Sequence, residues 1–428
     1  MKIISATTIV KFIFPIFFTF ATLETHSTEL DNNINPNNPF HSWLPEFMDR
    51  FNNLPEVNVQ LNRRQQAQLN IKAASKAIYN PELGVSYQNS TEDTYGIDIS
   101  QTIDVGNKRG IATRIAEFEN EILASNIILE RNEMLASRLQ ALVDQEQANK
   151  LLAYQKQQLE LAQKQLDNAR QRAEVGDLSN VELQLMQLDF SNNVADYALA
   201  EQQAILANSE VLTLLGESDL PFTGFIGALT TEAHAITSTE LPALKSAYQQ
   251  VQLAKLIIEQ AKADGSVDSS VSLSAEREGE ENTFGIGVSV PLQIRNNYSE
   301  AIAIANQDVL IAEKNYLSQE RTLAQQQTYF SISFPKLMEQ YLEWKNQVQS
   351  SGQDATDSLS QQWEVNDIST TDYLQSQSQM NDNYIAGLAL ESALYESWLT
   401  WMGASGQLEE FLNRLLTSTN MSQSVKQN

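Results

Sequence analysis

The 428-residue sequence predicts a mainly α protein with a membrane β-barrel part. Its plan is two tandem copies of one unit, a β-hairpin followed by a long helical hairpin. Three observations carry this. Helix-forming sequence runs almost free of Gly and Pro from about Ile111 to Gly176, and a second helical stretch runs from about Ser299 to Leu415. Two short stretches alternate apolar and small polar residues with a period of two. Both kinds of segment recur at one spacing.

The repeat shows first in two short turns. "RAEVGDLSNVE" (172–182) and "QWEVNDISTTD" (362–372) share their order, with Gly176, Asp177, Leu178, Ser179 and Glu182 matching Asn366, Asp367, Ile368, Ser369 and Asp372. The offset is about 190 residues, 366 against 176. "YGIDISQTI" (Tyr95 to Ile103) matches "FGIGVSVPL" (Phe284 to Leu292) at nearly the same offset, 284 against 95.

In the strand segments, Tyr95, Ile97, Ile99 and Ile103 share a face, as do Phe284, Ile286, Val288, Val290 and Leu292. The opposite faces hold Gly96, Asp98, Ser100 and Thr102, and Gly285, Gly287 and Ser289. A partner strand precedes each: "LGVSYQ" through Leu83, Val85 and Tyr87, and "SVSLSA" through Val271, Leu273 and Ala275. Polar links, Asn89 to Thr94 and Arg277 to Thr283, complete two hairpins. Pro291 predicts an end or turn of the last strand. The pattern fits either a soluble sandwich or a barrel with lipid outside and water within. Each strand can supply roughly the 9–11 residues that a tilted membrane strand needs. No Lys or Arg lies on the apolar faces, where one would cost about 2–4 kcal/mol at the bilayer midplane. Four strands do not close a membrane barrel, which takes about eight or more. Copies must therefore associate, and a trimer would give twelve strands.

The helices carry a heptad-like seam at Ala148, Leu152, Gln155, Leu159, Ala162, Leu166, Ala169 and Ala173. Val181, Leu185, Leu188, Ala195, Leu199 and Leu206 continue similarly. A softer region is expected near "FPKLME" (Phe334 to Glu339) and "SSGQDATDS". Between paired helices, Gly176 or Asn366 takes the left-handed residue of the reversal. Ser179 and Ser369 cap the next helix, and Glu182 and Asp372 sit where a capping box needs an acid.

Composition excludes several classes. The net charge of −26 argues against a nucleic-acid partner. There is no cysteine, hence no disulfide and no thiol nucleophile. His26, His41 and His234 lack metal-ligand spacing, there is no P-loop, and Gly285 and Gly287 lie in a strand. Neither an enzyme, nor a metal, nor a cofactor is expected. Trp43, Trp344, Trp363, Trp398 and Trp401 read as packing or interface residues. At the N-terminus, Lys2, Lys11 and the run "FIFPIFFTFA" read as a secretory signal peptide over 1–27, with a retained anchor as the alternative.

Signal peptide, repeated hairpin-plus-helix units and Gly/Asn-Asp-Leu/Ile-Ser tips together resemble the TolC family of outer-membrane efflux channels. "YNPELGVSY", "DVGNKRG" and "VSVPLQIRNN" strengthen the likeness, the last two toward its cation-efflux branch. The resemblance implies a homotrimer whose 12-stranded barrel in the cell outer membrane continues into an α-helical barrel across the periplasm. It implies a passive exit duct that docks a periplasmic adaptor, the membrane fusion protein, and an inner-membrane efflux pump. The periplasmic gate falls on Glu182, Trp363 and Asp372, though Ile368 and Gln375 stand where the family's well-known member has Arg and a second acid. Adaptor contacts fall on the tips, Val175, Gly176, Asp177, Leu178 and Ser179, and Val365, Asn366, Asp367, Ile368 and Ser369. The lipid-facing residues are Tyr95, Ile97, Ile99, Phe284, Ile286, Val288 and Val290.

The expected organisation after the signal is an N-terminal helical segment (28–80), β-hairpin 1 (81–105), helical hairpin 1 (106–215) and an equatorial linker with a helix (216–267). β-hairpin 2 (268–293), helical hairpin 2 (294–416) and a disordered tail (417–428) follow. Two other readings stay open: a soluble periplasmic coiled-coil adaptor, and a trimeric adhesin or fibre.

Overall fold

The computed structural model describes residues 40–89, 92–217, 219–229 and 241–425, without the side chains of 41, 349–357 and 418–425. The predicted signal peptide, His26 and His234 lie outside the described residues. The chain runs through α1 (Phe40–Asn53), α2 (Pro55–Ala74), β1 (Glu82–Gln88), β2 (Thr94–Ile103), α3 (Lys108–Glu174) and α4 (Asn180–Leu215). It continues through α5 (Pro242–Asp264), β3 (Ser269–Glu278), β4 (Glu281–Ser289), α6 (Ser299–Glu364), α7 (Thr370–Ser405) and α8 (Leu408–Val425). The two halves thus follow one plan, hairpin then helix pair.

α3 has 67 residues and α6 has 66. At 1.5 Å per residue each reaches about 100 Å. Gly and Pro are almost absent from both, and the exceptions are absorbed. Pro335 lies inside α6, so the softer region expected at 334–339 is continuous helix. A proline removes one backbone bond. Phe330 and Phe334 stack at 5.0 Å, and Phe330 stacks on Trp401 at 5.9 Å, so packing holds the helix through that position. The stretch 351–357 is helical as well.

The main core is aromatic. Trp43, Phe47 and Phe51 of α1 meet Leu135, Leu139 and Leu142 of α3, Phe334 of α6, Tyr395 and Trp398 of α7, and Leu408 and Leu412 of α8. α8 continues to Val425, where the sequence suggested an irregular tail from 417. Its amphipathic start is anchored in the core through Leu408 and Leu412. That nucleus lets the polar residues after Leu416 extend an existing helix, which costs far less than starting one. The seam in the C-terminal half of α3 is buried at Ala148, Gln155, Ala162, Leu166 and Ala169. The α4 seam read from sequence is not: Val181, Leu188, Leu199 and Leu206 are exposed, and Met186, Ala200, Ala204 and Val211 face inward instead. The small alanines bring α4 close to α3, and the larger apolar residues are left on the outer side.

The four strands form one antiparallel sheet in the order β1-β2-β3-β4. β2, β3 and β4 have 10, 10 and 9 residues, while β1, bounded by Pro81, has 7. β3 and β4 penetrate the link expected between Arg277 and Thr283, leaving Gly279 and Glu280 as the turn and placing Arg277, expected in the link, at the turn end of the apolar face opposite Tyr95. Gly279 has φ +57°, which a two-residue hairpin turn requires. β4 stops at Ser289, two residues before Pro291, so Val290 and Leu292 follow the strand.

Candidate functional site

Cross-strand register sorts the sheet into two faces, because paired residues share a side. One row reads Leu83, Ile99, Leu273, Ile286; the next reads Val85, Ile97, Ala275, Phe284. The opposite face reads Gly84, Asp98, Ser274, Gly285, then Ser100, Ser272, Gly287. Among the described residues the apolar rows are uncovered: Phe284 is 83 % exposed, and Leu83, Val85, Tyr95, Ile97, Ile99, Ile286, Val288 and Val290 are all exposed. The polar face is close-fitting at its glycines. A Cβ at Gly285 or Gly287 would come within 2.6 Å of the Ser274 or Ser272 hydroxyl. Among the described residues β1 and β4 have no strand on their outer sides. Contiguous apolar surface with open sheet edges marks a surface made to be covered.

Where the sheet meets the helices, one buried ion pair joins the two halves. Lys108 Nζ, at the start of α3, lies 2.6 Å from Asp268 Oδ2, just before β3. Tyr79 donates its hydroxyl proton to the same oxygen at 2.6 Å, and the Val105 N–H donates to Asp268 Oδ1 at 3.1 Å. Asp104 accepts from the Lys108 and Arg109 N–H groups. The "DVGNKRG" motif is thus a strand-to-helix joint.

At the far ends of the helices, the two reversals lie side by side. Gly176 has φ +81° and Asn366 has φ +62°, the left-handed geometry expected of both. Ser179 and Glu182 form a complete capping box: Glu182 Oε2 accepts from the Ser179 N–H at 3.0 Å and from its hydroxyl at 2.7 Å. Ser369 accepts from the Asp372 N–H at 3.1 Å and donates to Asp372 Oδ2 at 2.7 Å.

Arg172 ties the reversals together, and sequence reading missed it. Its Nε donates to Asp177 Oδ2 at 2.9 Å and its Nη1 to the Trp363 carbonyl at 3.1 Å. Nη2 donates to Asn366 Oδ1, and Asn366 Nδ2 lies 3.3 Å from Asp177 Oδ1. The guanidinium sits 5.0 Å from the Trp363 ring centroid. The available signal was a cation in the last turn of a helix, which also meets the C-terminal end of its dipole.

Beneath this clamp, Trp363 is 1 % exposed and stacks on Tyr373 at 5.3 Å. Leu166, Ala169, Leu178 and Met186 complete that core. Trp363 Nε1 donates to Thr370 Oγ1 at 3.1 Å, and Thr370 donates to Glu182 Oε1 at 3.3 Å. Of the three predicted gate residues, Glu182 and Trp363 are therefore linked through Thr370, while Asp372 stands apart on its own cap. Hydrogen bonds from Arg172, then Asn366, hold the Asp177 carboxyl below its ordinary range. The Ser179 hydroxyl, then its N–H, and further Thr370, do the same for Glu182.

The predicted contact tips divide. Val175 and Val365 are strongly exposed, and Gly176, Asp177, Ser179, Asn366, Asp367 and Ser369 are exposed with them. Leu178 is not: it is 7 % exposed, because the Asp177 and Leu178 N–H groups both donate to the Arg172 carbonyl and fold the chain back. Ile368 is half-buried against the same core. Among the described residues there is no group of three or more acids, His or Cys that could hold a metal ion, and no helix long and apolar enough to cross a membrane.

Residues 49–217 match the model of the outer membrane efflux protein family. No curated protein matches the chain. Among solved structures, the fold is similar to the CmeC outer membrane channel of Campylobacter jejuni, with TM-score 0.72, 14 % identity, and 88 % of this chain and 89 % of that one covered. It is also similar to the open state of the MtrE outer membrane channel of Neisseria gonorrhoeae (TM-score 0.68, 13 % identity, 86 % and 90 % covered). The outer membrane protein VceC of Vibrio cholerae gives TM-score 0.64 at 13 % identity, with 86 % and 95 % covered. The chain is thus matched in sequence to this family over residues 49–217, its first repeat, and is similar in fold to these outer membrane channels across both repeats.

Proposed function

We propose that the protein is the outer-membrane exit duct of a tripartite efflux system, extending from the outer membrane into the periplasm. Three copies pool their sheets into a 12-stranded barrel, with the Leu83–Ile286 and Val85–Phe284 rows on lipid and the Gly/Ser/Asp98 face on water. The observation that carries this reading is the four-stranded sheet with two open edges and an uncovered apolar face. In hydrocarbon each unpaired backbone group costs several kcal/mol, so the edges must be joined. The helical layer supports the same arrangement. α4 exposes Val181, Leu188, Leu199 and Leu206, and α6 exposes Ile304, Ile311, Leu317 and Ile332. Two different apolar edges suit a head-to-tail ring.

In this reading the duct is passive. The tips, with Val175 and Val365 outermost, meet a periplasmic adaptor and an inner-membrane pump. The gate consists of Glu182 and Trp363, locked within each protomer, and three exposed Asp372 carboxylates between protomers. The segment boundaries proposed are those of the sequence reading, with the helical end extended to Val425. The test is purification in detergent followed by mass measurement and planar-bilayer recording. A trimeric mass with single-channel conductance is expected. A monomer, or a trimer that never conducts, refutes the duct.

A further inference from the structure

The apolar face of the sheet has a charged end. Its rows continue toward the turn between β3 and β4 and finish with Tyr87, Tyr95, Arg277 and Asn282. Arg277 is exposed, and it is the single cation among the residues paired on this face, which hold no carboxylate. Glu276 and Glu278 flank it in sequence, but alternation puts both on the opposite face, paired with Gly96 and Thr94. Arg277 Nε donates to the Gly279 carbonyl at 3.2 Å, and among the described residues its two terminal nitrogens have no protein acceptor. Beside it the exposed Tyr87 and Tyr95 rings lie 5.1 Å apart. The Tyr87 hydroxyl reaches out of the apolar rows into the polar link, 3.2 Å from Asp93 Oδ1 and 3.3 Å from Asn89 Nδ2. Exposed aromatic rings with wet tips suit a boundary between lipid and water.

Depth agrees with chemistry. From the Ile103–Ser269 pair to the Arg277 row, β3 advances from 269 to 277. Those steps cover about 26 Å of strand, or about 20 Å along the membrane normal at a tilt of about 40°. The apolar band of a membrane barrel is about 25 Å tall, so Arg277 stands at its rim. An arginine on the lipid side is costly at mid-bilayer and nearly free at that rim. The groups a bilayer presents at this depth are headgroup phosphates, which the planar guanidinium grips through two nitrogens. The source follows from the placement of the acids. Glu92, Asp93, Glu280 and Glu281 crowd the turns beyond the row, so an anion arriving from water is repelled. A phosphate held in the bilayer meets Arg277 from the side without carboxylates.

We propose that Arg277, beside Tyr87 and Tyr95, binds the phosphate of a lipid headgroup at the outer rim of the barrel. The site rests on the membrane placement given under Proposed function, and it fixes the height at which the sheet rides in the bilayer. The test is native mass spectrometry of the full chain in a maltoside detergent, which carries no phosphate. Phosphatidylethanolamine and diacylglycerol with the same acyl chains are titrated separately. The phospholipid is expected to bind about tenfold more tightly, the worth of one charge-assisted contact. Arg277→Gln is expected to bring the two lipids within about twofold, and Arg64→Gln, at an exposed cation of α2, to keep the full preference. Equal binding of the two lipids by the unmodified chain, or a preference undiminished in Arg277→Gln, overturns the phosphate site. So does a preference abolished by inorganic phosphate at constant ionic strength, which would make it a site for free anions. Uptake of neither lipid is a different failure, because it removes the lipid-facing sheet itself and the site with it.

Discussion

Arg172→Met should loosen the two reversals from each other. The substitution keeps the aliphatic stem and removes the charge. The bonds to the Trp363 carbonyl and Asn366, with the ring contact to Trp363, are worth about 4 kcal/mol gross, taking charged-donor bonds at about 1.5–3 kcal/mol each, the ring at about 0.5–1, and allowing for non-additivity. Holding an arginine side chain in one geometry costs up to about 2 kcal/mol. The Asp177 arm is left out of the sum, because its carboxylate is 47 % exposed and screened by water. About 2 kcal/mol remains, a factor of roughly thirty in the equilibrium between joined and parted reversals. Hydrogen exchange reads this directly. The Asp367 N–H bonds to the Gln362 carbonyl at 2.8 Å and should exchange about thirtyfold faster in the variant. Arg170→Met, one half-turn away on an exposed pair with Asp167, is the control and should change nothing. Acceleration below about threefold, or equal acceleration in both variants, would refute the clamp.

Two other perturbations follow. Gly387→Ala should destabilise the protein by about 1–3 kcal/mol, despite a better helix former, because the new methyl would collide with the Trp344 ring that Asn383 holds through a 2.7 Å bond. A lowered melting temperature, restored by adding Trp344→Phe, is the expected readout, and a raised one counts against it. Acid should part the reversals: Asp177 and Glu182 have carboxyls depressed in the folded state, so their stabilisation is complete above the ordinary carboxylate range and is lost as pH falls through the lowered values. Exchange at the tip amides should rise over that window while amides in the aromatic core of α1 and α7 stay protected.

Much of this architecture was legible because it is local. A period of two across Tyr95–Ile103 and Phe284–Ser289 gives strands, and Gly176 and Asn366 followed by Ser179 and Ser369 give reversals with capped helices. What sequence could not give was which neighbour each face meets. The α4 seam is legible as apolar, but its period is the same whether its leucines face α3 or an exposed surface, and the structure puts them on the exposed side. Leu178 sits in a turn that sequence places at an exposed tip, and the two hydrogen bonds that the Asp177 and Leu178 N–H groups donate to the Arg172 carbonyl turn it inward. Arg172 itself looked like any cation near a helix end. Its partners Trp363 and Asn366 lie about 190 positions away, beyond the reach of any local pattern.

The repeat also explains why the two reversals are not equivalent. Glu at the third helical position is long enough to reach back to the N-cap N–H, so the first reversal has a closed capping box and a spare oxygen for Thr370. Asp372, one methylene shorter, bonds only to the Ser369 hydroxyl and through its own N–H. The first reversal uses a glycine at its left-handed position, and the second uses asparagine, whose amide is drawn into the Arg172 clamp. The first is thus fixed by its own cap, and the second largely by the first. A docking protein that withdraws Arg172 releases the second reversal while leaving the capping box of the first intact. Opening is therefore expected to begin with the α6–α7 pair moving away from α3 and α4.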